Sequence, residues 1–168
     1  TIEKLGYVQL DSINVVERAH HHILHSRGPG YSPASLKKLA EKDRQLFEHW
    51  THDASVVPIA FYPYWRHRFE RAKTRLRPRY EKFFDNGFAG ELDQVLERVR
   101  KEGPVMARDF ESEARRDSAW WNWHSSKTAL EFLWHTGELA IARRDGFQKV
   151  YDLTERVIPE AARSAAVD

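Results

Sequence analysis

An Asp-Gly pair near the C-terminus is the feature that most limits what this chain can fold into. Asp145-Gly146 stands between residues 139–143 and residues 148–153, two stretches rich in apolar and β-branched side chains. Asp-Gly between such stretches is among the strongest short-range signals for a tight hairpin turn, here over residues 144–146. The pattern predicts a two-stranded antiparallel hairpin, which is stable only when further elements cover it.

Three helical stretches come before the predicted hairpin. Apolar residues recur at helical spacing over residues 91–101, 105–113 and 127–136. Ser125 or Ser126 is the candidate N-cap of the last helix. Three helices followed by a hairpin is the order of a winged helix, a variant of the helix-turn-helix. We therefore expect residues 81–168 to form one.

The first 80 residues show a less regular version of the same order. Asn14 and Glu17 have the spacing of a capping box, which predicts a helix from there to about residue 26. Other helices are predicted over residues 1–5, from Pro33 onward, over 44–50 and over 63–76, and strands over 7–11 and 56–61. Pro78 is expected to end the last helix. The prediction for the whole chain is an α+β, mainly α fold of tandem winged-helix units with helical connectors, the first unit being partial and covering residues 1–80.

Composition excludes several classes of protein. The 168 residues contain no Cys, which excludes a disulfide scaffold and a thiolate metal site and suits a reducing cytoplasm. No apolar stretch approaches the roughly 20 residues of a membrane span, so an integral membrane protein is not predicted. The 27 Lys and Arg residues exceed the 25 Asp and Glu residues by two, which mildly favours a polyanionic partner.

Gln9 and Asp11 form the first candidate site. If residues 7–11 form a strand, alternation places both side chains on one face and Leu10 on the other. A carboxylate beside a carboxamide can hold a water molecule, because the Asp accepts a proton from the water and the Gln fixes its position. The alternative is an exposed strand face with two solvated polar residues, and the spacing alone favours that alternative.

A run of histidines, His20 to His22 followed by His25, is the second candidate. His21 and His25 are four residues apart, as are two metal ligands on one helical turn, and such a pair would suit a metal-dependent hydrolase. The sequence shows no third ligand beside them, so we predict no metal. A helix face that contacts DNA or solvent is the favoured reading of this run.

A basic stretch over residues 66–79 is the third candidate. It holds seven Lys and Arg residues and one Glu, and Lys and Arg can neutralise phosphates. The alternative is a solvated helix face. In a winged helix, the third helix enters the major groove and the hairpin reaches the DNA backbone or minor groove, which adds residues from both elements. The candidate DNA-binding residues are Arg18, His21, His22, His25, Arg66, Arg71, Arg75, His124, Lys127, Arg143 and Arg144.

Together these motifs closely resemble one family, the winged-helix DNA glycosylases that unhook interstrand crosslinks, including the azinomycin-resistance type. The resemblance covers nearly the whole chain. The matching runs are residues 5–20 (LGYVQLDSINVVERAH), 26–28, 49–55, 120–131, 137–139, 143–147 and 150–156.

The resemblance implies a fold and an activity. The family has tandem winged helices followed by a C-terminal β-barrel, and it hydrolyses the N-glycosidic bond of bulky alkylated purines without a metal or a lyase step. Its catalytic signature, Gln-apolar-Gln or Gln-apolar-Asp, corresponds here to Gln9-Leu10-Asp11. His52-Asp53 stands where the family pattern has His-Glu. Because the family architecture extends beyond this stretch at both ends, we expect these 168 residues to fold yet to be inactive when isolated.

Two functions therefore remain open from the sequence. The first is a monofunctional DNA glycosylase of the cytoplasm that acts on double-stranded DNA, needs no cofactor, and uses Asp11 as base and Gln9 to orient the water. The second is a non-catalytic winged-helix DNA-binding protein such as a transcriptional regulator, because a winged helix does not specify function.

Overall fold

The computed structural model describes residues 1–82, 87–114 and 120–167, without the side chains of residues 111–114 and 120–125. It has an α+β, mainly helical fold, as predicted. Contacts divide the chain into unit 1, Thr1–Tyr64 with Ile158–Asp168, and unit 2, Trp65–Val157. The predicted division into tandem winged helices over residues 1–80 and 81–168 stays a prediction. Within the described ranges, no helix is both long and apolar enough to cross a membrane.

Unit 1 is a small three-stranded antiparallel sheet with helices packed on it. The elements are α1 (Ile2–Leu5), β1 (Val8–Gln9), α2 (Ala19–Arg27), α3 (Pro33–Glu41), β2 (Leu46–Trp50), β3 (Ala54–Pro58), the first turn of α4 (Tyr62–Glu81) and a C-terminal helix (Glu160–Ser164). The strand order is β1-β3-β2, so β3 is central. Its core contains Val8, Leu24, Leu36, Leu46 and Val56.

Helix α2 begins at Ala19, five residues after the predicted N-cap. The Asn14–Glu17 capping box does not form, and the predicted helix start at residue 14 is wrong. The reason is a hydrogen bond that joins the two ends of the preceding segment: the backbone N–H of Asp11 donates to Nδ1 of His20 over 3.1 Å. Residues 12–18 therefore project as a loop, and the apolar side chains at its tip are exposed.

Residues 46–50 form strand β2, so the predicted helix over residues 44–50 is wrong. Arg44 has a φ of 50°, a left-handed conformation that a helix cannot include. The chain then pairs with β3, and four successive residues from Leu46 are buried. Burial on both faces removes the alternation that would have marked a strand in the sequence. The ring of Phe47 packs edge-on against that of Tyr62, with centroids 5.2 Å apart.

After α4, the described part of unit 2 runs through three helices and then an antiparallel hairpin, in the predicted order. The elements after α4 are α5 (Phe88–Glu102), α6 (Ala107–Ala114), α7 (Trp120–His135), β4 (Leu139–Asp145), β5 (Gln148–Leu153) and α8 (Thr154–Val157). The core includes Val95, Val99, Leu130, Trp134, Leu139 and Tyr151. Helix α5 supplies an apolar stripe to this core, as the spacing predicted.

Two helix ends in unit 2 differ from the predictions. Helix α7 starts at Trp120, and Ser126 is a buried residue inside it whose hydroxyl donates to Glu91 Oε1 over 2.7 Å; neither Ser125 nor Ser126 is an N-cap. Helix α4 continues past Pro78 to Glu81. A proline in the last turn removes only one intrahelical hydrogen bond, so one more turn persists.

The hairpin turn lies one residue later than predicted. Asp145 pairs with Gln148, so the two turn residues are Gly146 and Phe147, with φ values of 54° and 68°. Positive φ at both positions is the type I′ geometry that matches strand twist. This positive φ is strained for Phe147, because a bulky side chain disfavours the left-handed conformation. Arg144 stabilises the turn by donating to the carbonyl oxygen of Phe147 and stacking its guanidinium 4.4 Å from the ring centroid.

Candidate active site

The strand pairing of unit 1 determines where Gln9 lies. Gln9 is the last residue of β1, opposite Ser55 on β3, and the pairing continues with a 2.8 Å hydrogen bond from Leu10 N–H to the carbonyl of Ala54. Val8 is buried and Leu10 packs on the same core. Alternation leaves the side chain of Gln9 exposed on the other face, as the sequence predicted. The strand ends at Gln9 and not at residue 11, so alternation does not place Asp11 on that face.

The β2–β3 turn brings two polar side chains to Gln9. His52 Nε2 lies 2.9 Å from Gln9 Oε1, and Gln9 Nε2 donates to Asp53 Oδ2 over 3.3 Å. On the far side of the imidazole, the hydroxyls of Tyr7 and Thr51 each lie 3.5 Å from Nδ1. Both ends of the Gln9 carboxamide are therefore engaged by residues 43 and 44 positions away.

Asp11 is half-buried, and hydrogen bonds hold both its backbone and its side chain. Its backbone N–H donates to His20, and its Oδ1 accepts from the N–H of Ile13 over 2.8 Å. Its Oδ2 has no hydrogen-bond partner among the residues that the structure describes. One carboxylate oxygen thus positions the side chain, and the other is available to accept a proton.

His20 is buried and neutral. Burial, followed by the nearby His21 and Arg18, lowers its pKa to about 4 against the opposing effects of Asp11 and Glu17. A neutral imidazole can accept a hydrogen bond on one ring nitrogen. The lowered pKa therefore preserves the acceptor that fixes the backbone of Asp11.

The pH dependence of stability follows from this pKa. Between pH 6.5 and about 4 the unfolded chain binds a proton at His20 that the folded protein does not, so the free energy of unfolding falls as the pH falls. His20→Asn keeps an acceptor but does not titrate, so we expect it to flatten the dependence in that window. Denaturant unfolding at a series of pH values measures this, with His67→Asn as the control that removes an exposed histidine. Parallel curves for wild type and His20→Asn would contradict the assignment.

The remaining histidines do not converge on one point. His21 Nδ1 bonds the hydroxyl of Tyr31, whose pKa burial raises to about 12, and burial also lowers the pKa of His21. His22 and His25 are exposed. In the part of the chain that the structure describes, no three His, Asp or Glu side chains are grouped as metal ligands. The metal-hydrolase reading gains no support from this geometry.

Arg18 lies at the start of α2, close to these histidines. It is the half-buried N-cap residue, and its backbone N–H donates to Glu17 Oε1 over 2.8 Å, which lowers the pKa of Glu17. Arg18 and the three histidines are the predicted DNA-binding residues of unit 1, and that role stays a prediction for all four.

The basic stretch becomes one long helix. On α4, Lys73 pairs with Glu70 and Glu138, and Arg66 is half-buried. Arg71 and Arg75 are exposed and, among the described residues, pair with no carboxylate. Their exposed guanidinium groups are therefore placed to bind an anion.

The other candidate DNA-binding residues of unit 2 lie on α7 and the hairpin. Lys127 is exposed on α7, whereas the side chain of His124 lies outside the described residues. Arg143 pairs with Asp145 over 3.1 Å, and Arg144 braces the turn. The roles of all four in DNA binding stay predictions.

Sequence reasoning missed three residues around the candidate site. His20 was considered only as part of the histidine run, and His52 and Asp53 only as part of a matching motif. The signal that could have found the last two is the Thr-His-Asp turn between two β-prone stretches, because a hairpin places its turn beside the end of a paired edge strand. Reading residues 44–50 as a helix concealed that hairpin.

Comparison with known protein families identifies the relatives of this chain. The model of a family described as DNA glycosylase AlkZ-like matches residues 2–168, so the relatives of this chain are DNA glycosylases, hydrolases of DNA repair. The chain belongs to the AlkZ-like family, which confirms the resemblance drawn from its motifs. No solved structure matches it significantly.

Proposed function

We propose that this protein hydrolyses the N-glycosidic bond of alkylated purines in double-stranded DNA, including crosslinked ones, with a water activated by Asp11. The observation that carries the proposal is the arrangement of Asp11, whose Oδ1 is bonded to Ile13 and whose Oδ2 is open. Gln9 lies two residues away on the exposed face of the sheet and orients the water. This is the Gln-apolar-Asp form of the signature.

The substrate chemistry suits a site with one carboxylate. A purine alkylated at N7 is cationic, so it leaves as a neutral base and needs no general acid. The demanding part of the reaction is the positive charge that develops on the sugar and the deprotonation of the attacking water. A carboxylate assists both, through its negative charge and as general base. Because water is the nucleophile, the enzyme is monofunctional.

Unit 2 is proposed to supply contacts to the DNA backbone. Three helices and a hairpin follow one another in unit 2, which is the order of a winged helix and supports that architecture. The exposed arginines of α4 supply phosphate contacts. These contacts are independent of base sequence, as an enzyme that searches duplex DNA for damage requires.

Base release tests the proposal. The full-length protein is incubated with a duplex that carries one N7-alkylguanine, and a second duplex carries a crosslink through N7. Strand cleavage is expected only after the abasic sites are heated, and a chelator is expected to leave the rate unchanged. Binding without base release would contradict the proposal and favour the alternative, a non-catalytic winged-helix DNA-binding protein.

The contribution of α4 to DNA binding is tested separately. Changing Arg71 and Arg75 together to Gln is expected to weaken duplex binding and to reduce the slope of log K against log salt by about 1.8, since each phosphate contact contributes roughly 0.9. Binding titrations at several salt concentrations measure the slope. Arg100→Gln with Lys101→Gln is the matched control, because both pair with Glu97 on α5. An unchanged slope in the Arg71 and Arg75 variant would show that this face does not contact DNA.

A further inference from the structure

We propose that His52 and Asp53 are positioning residues that hold the carboxamide of Gln9 in one orientation. Together, Gln9, His52 and Asp53 form what we name the amide clamp. The inference rests on the proposed function, since it assigns a purpose to the orientation of Gln9, but the clamp itself can be measured without any activity.

The clamp determines which position the oxygen of the Gln9 carboxamide takes and which position its NH₂ group takes. A carboxylate only accepts hydrogen bonds, so the side of Gln9 facing Asp53 must be its NH₂ group. The oxygen then faces His52, and because that oxygen only accepts, His52 Nε2 must carry the proton. The distances, 3.3 Å to Asp53 and 2.9 Å from His52, suit these two bonds. Neither group alone would define the orientation as fully.

The clamp leaves one donor and one acceptor for a water molecule. A carboxamide has two N–H donors and two acceptor lone pairs, and Asp53 and His52 engage one of each. The remaining N–H and lone pair of Gln9 are directed away from both partners. A water bound there is held with a defined orientation, which general-base attack requires. Reversal of the amide would exchange the two positions and misdirect the water.

The turn that carries the clamp is itself held in place. Asp53 Oδ1 accepts from the N–H of Ala54 over 2.7 Å, so one carboxylate oxygen is fixed while the other faces Gln9. The buried hydroxyl of Ser55 donates to the carbonyl of Asp53 over 3.1 Å, and it lies 2.9 Å from the hydroxyl of Thr51. Ser55 is also the residue paired with Gln9 across the sheet. The geometry of the clamp is therefore part of the strand pairing.

Substitutions at His52 separate positioning from support of the fold. His52→Gln places an amide N–H near the position of Nε2, whereas His52→Leu removes the donor. We expect His52→Leu to lower the single-turnover rate of base release roughly tenfold, the worth of one hydrogen bond, at unchanged affinity for the duplex. We expect His52→Gln to restore most of that rate. Equal rates for wild type and His52→Leu, or equal losses in both variants, would overturn the proposal.

Asp53→Asn reverses the polarity of the clamp. The Asn oxygen can still accept from Ala54, so its NH₂ group faces Gln9 and forces the carboxamide to turn over. Two results are expected: a loss of rate similar to that of His52→Leu, and transfer of the His52 proton from Nε2 to Nδ1. Nitrogen-15 chemical shifts of the labelled imidazole at neutral pH report the tautomer. Asp43→Asn is the matched control, because it makes the same change in a surface pair with Lys38.

The tautomer measurement distinguishes the two possible failures. If the wild-type protein releases no base while His52 is protonated at Nε2 and Asp53→Asn moves that proton, the proposed function fails and the clamp stands. If base is released but the tautomer of His52 is the same in wild type and Asp53→Asn, the clamp fails and the proposed function stands. Thermal unfolding of each variant tests whether the fold is retained.

Discussion

Asp11→Asn is expected to remove nearly all base release, with a rate about 10²–10⁴-fold below that of the wild type. An amide cannot take the proton of the attacking water, and it carries no charge to stabilise the developing positive sugar. The measurement is the single-turnover rate on a duplex with one N7-alkylguanine. Duplex affinity should change little, because Asp11 is proposed to act on the water and not on phosphates.

The Asp11→Asn substitution preserves the hydrogen bonds that hold the loop over residues 12–18. Asn can still accept from Ile13 N–H through its oxygen, and the backbone bond from residue 11 to His20 does not depend on the side chain. Asp43→Asn again serves as the control for a neutralised surface carboxylate. A rate for Asp11→Asn within a factor of two or three of the wild type would end the general-base assignment.

Gly137→Ala is expected to be strongly destabilising. A Cβ at Gly137 would lie 2.6 Å from Cδ2 of the Phe69 ring, and the residue has a φ of +83°. Left-handed backbone costs roughly 1–2 kcal/mol for a residue with a Cβ, and overpacking a core costs typically about 1–3 kcal/mol. The free energy of unfolding should therefore fall by about 2–5 kcal/mol, measured by denaturant unfolding.

A matched glycine isolates the steric part of that effect. Gly30 has a φ of +84° but nothing within 4 Å of its added Cβ, so Gly30→Ala carries the backbone cost without the clash. In a Phe69→Ala background the ring is absent, and the effect of Gly137→Ala should shrink toward that of Gly30→Ala. An equal effect of Gly137→Ala in both backgrounds would mean that the ring moves aside at no cost.

The sequence predicted the elements whose periodicity reflects one buried face. Helices α3 and α5 were predicted in type from such periodicity. The C-terminal hairpin, whose strands each have four successive buried residues, was predicted from its Asp-Gly turn signal instead. The errors have physical causes. Strand β2 is buried on both faces and so shows no alternation, and the start of α2 is set by a contact between Asp11 and His20 that no local pattern encodes.

The candidate site was predictable only in part. Gln9 and Asp11 were found because a carboxamide and a carboxylate two residues apart form a local motif. His20, His52 and Asp53 were not assigned roles, since each acts through a hydrogen bond to a residue 9, 43 or 44 positions away. A single sequence shows which groups are present, whereas the register of the sheet decides which of them meet.

The loop after Asp11 is anchored at its base and exposed at its tip. Its base is fixed by the bond between Asp11 and His20, while Ile13, Val15 and Val16 at its tip are 69%, 89% and 88% exposed. Residues at the tip contribute little to the core, so selection on stability acts on them weakly. Related proteins can therefore diverge in what this tip touches while Asp11 keeps its position.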